Sequence, residues 1–411
     1  MKKYLFLLGW IGLAVKGYAG GFQLNLQGSA QAGMGGTGVA MAQNNAILYY
    51  NPAALVHYKY SGFSYHGALV SANSTFTPAQ NPSGFERTAN PLGTPFSAYL
   101  STRCHSCGDS SKWAAGIAIY TPFGAKMKWS DDWMGKFILQ NISLKTIFVQ
   151  PTMSLLINKF LSVGVGSVVG YGSMELNKAL PLYGANANPA AVKLTATGNG
   201  IGFLVGLYYT ITQNWHAGFV LRTPVGMAFN GGKAAFTNIP NAVIDSFPNT
   251  NFATAFFLPG SATVGASWQA NQRLTLSAEA QLAFWNTYDS LRVKFAKHTA
   301  LLQDIHTPKR YGNCWTYRIG AQYEYRKFAF RAGLVYDQSP IKPEYLGPDV
   351  PDANKLEGSV GLGYKRNKIG LNVFTTYVQT AARSFTNTET NLNGTLQTTA
   401  FIIGAGVSYS Y

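Results

Sequence analysis

The chain has 411 residues with 32 Lys+Arg against 16 Asp+Glu, a net charge of +16 with neutral histidines, yet only 12% of its residues are charged while 14% are aromatic. That is about half the charge density of an ordinary soluble protein, no run of about 18 apolar residues marks a membrane helix, and 24 Tyr with 25 Phe are too many for disorder. A cytosolic enzyme, a helical membrane protein, collagen and a coiled coil are thereby excluded, and the fine-scale mixture of polar and apolar residues is that of a transmembrane antiparallel β-barrel, an all-β fold.

Lys2 and Lys3 precede an apolar stretch from Tyr4 to Val15, and Gly17-Tyr18-Ala19 supplies small residues for cleavage. Residues 1–19 are therefore predicted to be a secretory signal. An exported chain meets no nucleic acid, so the basic excess is assigned to an anionic lipid surface, outer-membrane lipid and lipopolysaccharide. Residues 20–56, GGFQLNLQGSAQAGMGGTGVAMAQNNAILYYNPAALV, do not alternate and are rich in Gly, Ala and Asn. Side chains this small do not build a wall strand, and the segment is too uncharged for a solvated tail; a compact plug inside the lumen is expected. Its glycines Gly33, Gly35, Gly36 and Gly38 formally spell G-x-G-x-x-G. Without a preceding strand, and with no acidic residue before Glu86, this reads as tight packing and turns rather than a nucleotide loop. Asn51-Pro52-Ala53 closes the segment.

Residues 57–411 read as the barrel. Six short turns, at Cys104–Ser111, Asn158-Lys159, Gln213-Asn214, Ala270–Gln272, Arg326-Lys327 and Arg366–Lys368, alternate with long loops. The seven loops are Pro78–Leu92, Pro122–Asn141, Lys178–Val192, Asn238–Asn251, Ala296–Asn313, Ile341–Asp352 and Ser384–Gln397. Together they predict 14 strands, with the short turns periplasmic. Cys104 and Cys107 are read as a small disulfide or two inert thiols in a turn; no second pair completes a metal site, and Cys314 stands alone. The six histidines are scattered and neither G-x-S-x-G nor H-E-x-x-H occurs, so no catalytic residues and no cofactor are expected. Within Pro122–Asn141, Phe123, Met127, Trp129, Trp133, Met134 and Phe137 offer a greasy capture surface, with residues 133–139 spaced as an amphipathic loop helix.

Strand phase then places the charges. In the last segment Phe401, Ile403, Val407, Tyr409 and Tyr411 alternate with small residues, so aromatics face lipid. The same phase turns Arg222, Glu279, Arg318, Arg331 and Glu357 into the lumen, since a charge facing lipid costs about 2–4 kcal/mol. They are read first as a cross-strand ion-pair ladder, and second as a polar site for a passing solute.

The G-F-Q start, the glycine core and Asn51-Pro52-Ala53 are followed in order by Thr121-Pro122-Phe123-Gly124, the Trp133–Leu156 region, Leu161–Gly166, Pro348-Asp349 and an aromatic carboxy terminus. In that order they resemble the FadL-type outer-membrane transporters of long-chain fatty acids and other hydrophobic compounds. The resemblance implies a monomeric 14-stranded barrel in the bacterial outer membrane, its lumen plugged by an N-terminal hatch, and inserted by barrel-assembly machinery reading the last strand. It implies passive uptake of a hydrophobic small molecule, long-chain fatty acids foremost: capture at outer loops, passage to a lumen site, and lateral exit gated by the hatch. A kink of the third strand would form that exit; the corresponding residues are Trp113–Tyr120, where Gly116 would permit a bend. Val168–Glu175 carries no Lys or Arg before Lys178. Neutral aromatic hydrocarbons therefore stand beside fatty acids as the substrate class, with a general diffusion porin as the further alternative.

Overall fold

A computed structural model describes residues 21–103, 112–184 and 188–411. The signal segment, the Cys104–Ser111 turn and the Cys104–Cys107 pair lie outside the described residues. Fourteen antiparallel wall strands close into a barrel. They are β1 Gly62–Pro78, β2 Phe96–Arg103, and β3 Trp113–Tyr120 continued by Gly124–Lys128. Next come β4 Asn141–Leu156, β5 Leu161–Tyr183, β6 Pro189–Thr210, and β7 Trp215–Arg222 with Val225–Thr237. β8 comprises Thr250–Leu258 and Ser261–Gln269, β9 Leu274–Ala283 and Ser290–Phe295, and β10 Ile305–Pro308 and Cys314–Tyr325. β11 Phe328–Asp337, β12 Lys355–Arg366, β13 Ile369–Thr380 with Arg383–Thr386, and β14 Asn393–Ser410 complete the wall. Closure is the pairing of β1 with β14, from Gly62↔Ser410 to Pro78↔Gly394.

Two-residue alternation decides which side each residue faces. Phe401, Ile403, Val407 and Tyr409 are exposed outward, as are Ile319, Phe330 and Tyr377. Small polar residues such as Ser154, Ser162, Ser267 and Ser359 are buried inward. Loop expectations are corrected in part: Gly124–Lys128 within Pro122–Asn141, Ile305–Pro308 within Ala296–Asn313 and the end of Ser384–Gln397 are strand, and Lys178–Val192 is mostly strand, because β5 and β6 are 23 and 22 residues long and stay paired to Tyr183↔Pro189. A bilayer needs only about 9–11 residues per tilted strand, so this hairpin stands well clear of the membrane.

Gly21–His57 is buried along most of its length and bonds to strands all round the wall. It contains the short helices α1 Ser29–Ala32 and α2 Ile47–Tyr50, then a 3-10 turn Pro52–His57. Glycines let it approach the wall. A side chain on Gly333 would meet the backbone of Gly35 at 2.1 Å, and Gly35 and Gly36 themselves hold positive φ (69° and 74°). Gly38 lies against the ring of Tyr50. Gly33 lies against Gly361 of β12.

Candidate functional site

Asn51, fully buried, organises the base of the inner segment. Its Nδ2 donates to the carbonyls of Val39 (2.8 Å) and Leu207 (2.9 Å), and its Oδ1 accepts from Ala53 N (3.0 Å). The side chain thus caps the 3-10 turn while Pro52 fills its first position. The Ala53 carbonyl accepts from Ser154 Oγ (3.0 Å) and Ser162 Oγ (2.7 Å) of β4 and β5. Gly164 and Gly206 give the motif room: a Cβ on Gly164 would lie 2.4 Å from Ala53 N, and one on Gly206 2.3 Å from Asn51 Oδ1.

The amino end is held differently. Leu24 N donates to Pro122 O (2.8 Å), Gly124 N donates to Phe22 O (3.1 Å), and Gln23 bridges to Phe123. Those partners sit in an interruption of β3 at Thr121–Phe123. Below it β3 pairs with both β2 and β4; above it Gly124–Lys128 pairs with β4 alone. The break therefore falls just after Trp113–Tyr120, not within it. Gly116 stays in a paired run, where Leu48 of α2 packs against it. Phe22 is edge-on to Trp285, ring centroids 4.9 Å apart. Gly21 N donates to Asp352 Oδ2 (3.2 Å), which also accepts from Ser339 Oγ (2.7 Å). Burial in this loop pushes the Asp352 carboxyl up to about 7, against the pull of Lys355.

Beside the break lies a cavity of about 530 Å³, within the roughly 300–1,000 Å³ usual for small-molecule sites. Its lining joins Leu24 and Leu26, Val350 of the 338–354 loop, and Met127 to Thr94, Lys145 and Ile147. Lys145 and Ile147 are exposed on the outer face of β4 while Leu144 and Thr146 between them are buried, so residues from both faces of the wall contribute to the lining. Two of the lysines at its edge have partners, while Lys145 has none among the described residues. Lys355 Nζ lies 3.0 Å from Asp337 and 3.8 Å from Glu357, and Lys126 Nζ donates to Leu92 O (2.9 Å). Asp349 of the lining bonds Lys309 Nζ behind it at 2.5 Å; burial opposes the Lys309 charge, but Asp349 and Tyr288 together outweigh it and hold the ammonium above its ordinary range.

Of the expected capture residues, Phe123 and Met127 line this cavity. Trp129 and Trp133 offer no capture surface. They are buried and stacked at 4.5 Å, and their indole nitrogens donate to Pro348 O (3.1 Å) and Leu139 O (2.6 Å). Residues 131–138 form turns rather than a helix. Met134 is exposed, and Phe137 is half-buried under Lys136. The five charges singled out from the sequence are buried or half-buried, but most of their partners are not one another. Glu279 Oε1 accepts from Gly38 N (2.6 Å) and Val39 N (2.7 Å) of the inner segment. Arg222 donates to Tyr49 O and lies over the Tyr49 ring (4.5 Å). Arg331 donates to Gln322 (2.6 Å) and Asn372 (2.8 Å), and Glu357 faces Lys355. Arg318 stands opposite Glu279 in register. Phe22, Leu24 and Asp352 escaped the sequence reading, although F-Q-L-N-L at residues 22–26 does alternate and could have marked an edge pairing.

A closed barrel with lipid-facing aromatics, an inner segment buried against its strands and a largely apolar cavity beside a strand break is an outer-membrane transport channel for hydrophobic compounds. Over residues 11–411 the chain matches the family described as outer membrane protein transport protein (OMPP1/FadL/TodX), and it belongs to that family. It is 22% identical to the long-chain fatty acid transport protein of Escherichia coli (strain K12), covering 87% of this chain and 86% of that one. Among solved structures it is similar to a Pseudomonas aeruginosa FadL homologue, with 17% identity, TM-score 0.82, and 95% and 99% of the two chains covered. It is also similar to the Ralstonia pickettii toluene transporter TbuX, with 19% identity, TM-score 0.71, and 93% and 98% covered. The protein is a passive channel of the bacterial outer membrane, not an enzyme.

Proposed function

We propose that the channel takes up long-chain fatty acids, holds them in the cavity beside the β3 break, and releases them sideways through the wall when the amino end of the hatch, residues 21–27, withdraws. The observation that carries this reading is the single cavity lined both by Leu24 and Leu26 and by the outward-facing Ile147 and Lys145. An apolar solute gains roughly 25 cal/mol for each Å² it buries there, and a sideways exit spares it the aqueous periplasm. Hydrogen bonding across the window agrees. Thr121 N donates to Phe96 O below and Ala89 N to Lys128 O above, and the facing backbone of Pro122 and Gly124 is bonded instead to Phe22 and Leu24. The curated relatives named for long-chain fatty acid transport support the substrate class.

Neutral aromatic hydrocarbons are the second reading, favoured by the pairing of Lys355 at the cavity's edge. Native mass spectrometry of the detergent-purified protein with an equimolar panel of fatty acids and monoaromatics separates the two. Retention of fatty acids is expected; retention of aromatics alone transfers the proposal to hydrocarbons. Thr94, exposed at the mouth of the cavity, tests the route. Thr94→Trp is expected to slow uptake by about tenfold, equivalent to about 1.4 kcal/mol, while ligand retention persists. Unchanged uptake refutes the lateral exit.

A further inference from the structure

Deeper in the lumen a second, much smaller space lies among Arg222, Arg318, Glu279, Gln281, Tyr49 and Tyr50. Its volume of about 30 Å³ admits about two waters or one carboxylate group. Two guanidinium groups face one carboxylate, and that carboxylate is already committed to the backbone of Gly38 and Val39. Arg222 is satisfied by Tyr49 O and the Tyr49 ring. Arg318 is not. Only 4% exposed, it makes no hydrogen bond and no ion pair among the described residues, and its Nε is buried without a partner. The hydroxyl of Tyr50, 6% exposed, is likewise unpartnered. Glu279 opposite Arg318 offsets its charge without giving its Nε an acceptor, and unsatisfied buried donors are rare enough to call for a missing partner. Two donors without an acceptor, in a chamber where two guanidinium groups face one carboxylate, suit an acceptor that is small and anionic.

We propose that this chamber is a subsite for a single monoanionic group, a carboxylate, received by Arg318 with the Tyr50 hydroxyl as second donor. Gln23 and Asn25 line both this chamber and the large cavity. A carboxylate seated on Arg318 can therefore keep an apolar tail in the large cavity once those hatch residues shift. Glu279 lies opposite Arg318 in register and holds Gly38 and Val39, so occupancy of the chamber is transmitted to the hatch. That the anion is the head group of a tailed substrate rests on the fatty-acid reading above; the chamber as an anion site does not.

The full-length protein in detergent is titrated with palmitate, with methyl palmitate and, separately, with formate. Palmitate is expected to bind the unaltered protein about tenfold tighter than its ester. Arg318→Gln and Tyr50→Phe are each expected to remove most of that difference and leave ester binding unchanged. Tyr50→Phe deletes only a hydroxyl without a protein partner, so it remains informative where Arg318→Gln disturbs assembly. Formate alone is expected to raise the melting temperature of the unaltered protein and to lose this effect in the variants; with no acid–ester difference, that result assigns the chamber to free small anions. Equal binding of acid and ester together with no formate effect overturns the subsite and leaves the proposed transport reading standing. Binding of neither palmitate nor its ester refutes that reading instead, and the formate result then decides the chamber by itself.

Discussion

Replacing Asn51 by alanine should undock the base of the hatch while leaving the barrel intact. The asparagine is fully buried and makes three hydrogen bonds, to Val39 O, Leu207 O and from Ala53 N. Each is worth about 1 kcal/mol net, and each orphaned buried partner adds to the cost, so the loss is about 3–5 kcal/mol. In a local opening equilibrium this is a shift of about two to four orders of magnitude. Hydrogen exchange of the purified protein reads it directly: the amides of Ile47–His57 should lose about that much protection. The wall strands, which close on themselves through β1 and β14, should keep theirs. Protection of Ile47–His57 that stays within about threefold of the unaltered protein would show that the motif is not what anchors the segment.

Gly164→Val places a branched side chain where a Cβ alone would lie 2.4 Å from Ala53 N and Pro52 C. Both are backbone atoms that cannot swing aside, so ion current in planar bilayers should rise while heat-modifiable barrel folding persists. Current unchanged from the unaltered protein would refute this. Asp352 titrates at about 7 in the fold against 3.8 in the open chain. Between these values the native state holds a proton the unfolded chain has released, so stability falls as pH rises from about 4 to 7. Melting temperatures measured across that range should decline, and Asp352→Asn should flatten the decline.

What the sequence made legible was whatever a period of two records. The β14 pattern, five of the six short turns and the inward phase of Arg222, Glu279, Arg318, Arg331 and Glu357 all follow from alternation, because lipid on one side penalises any other phase. The limit appears where a residue's role depends on what comes to meet it. Trp129 and Trp133 have the composition of a capture surface, but stacking and their indole hydrogen bonds turn them into the core of the outer loops. The charges phased correctly, yet Glu279 and Arg222 bind the hatch backbone, which no cross-strand rule anticipates. The Lys178–Val192 stretch reads as one of the long connections that alternate with short turns, yet it is mostly strand. Nothing in its local chemistry distinguishes a wall strand from its continuation into water.

The two ends of the hatch differ in how much would have to break for each to move. The base carries the three bonds of Asn51 and the two serines on Ala53 O, all buried, and its backbone fits glycine-sized recesses in β5 and β6. The amino end carries two backbone bonds to the β3 break, a third there from Gln27 Nε2 to Thr121 O, one to Asp352 and the Phe22 ring against Trp285. Breaking the first set costs about 5 kcal/mol in hydrogen bonds, the second about 4, and an apolar ligand in the adjoining cavity can replace the contacts Phe22 gives up. In the proposed route the moving part is therefore short, Gly21 to Gln27, and Asn51-Pro52-Ala53 is the fixed point about which it turns. Cross-linking the base to the wall should then leave uptake intact, whereas cross-linking residue 23 to residue 123 should abolish it. Loss of uptake on fixing the base would place the hinge elsewhere.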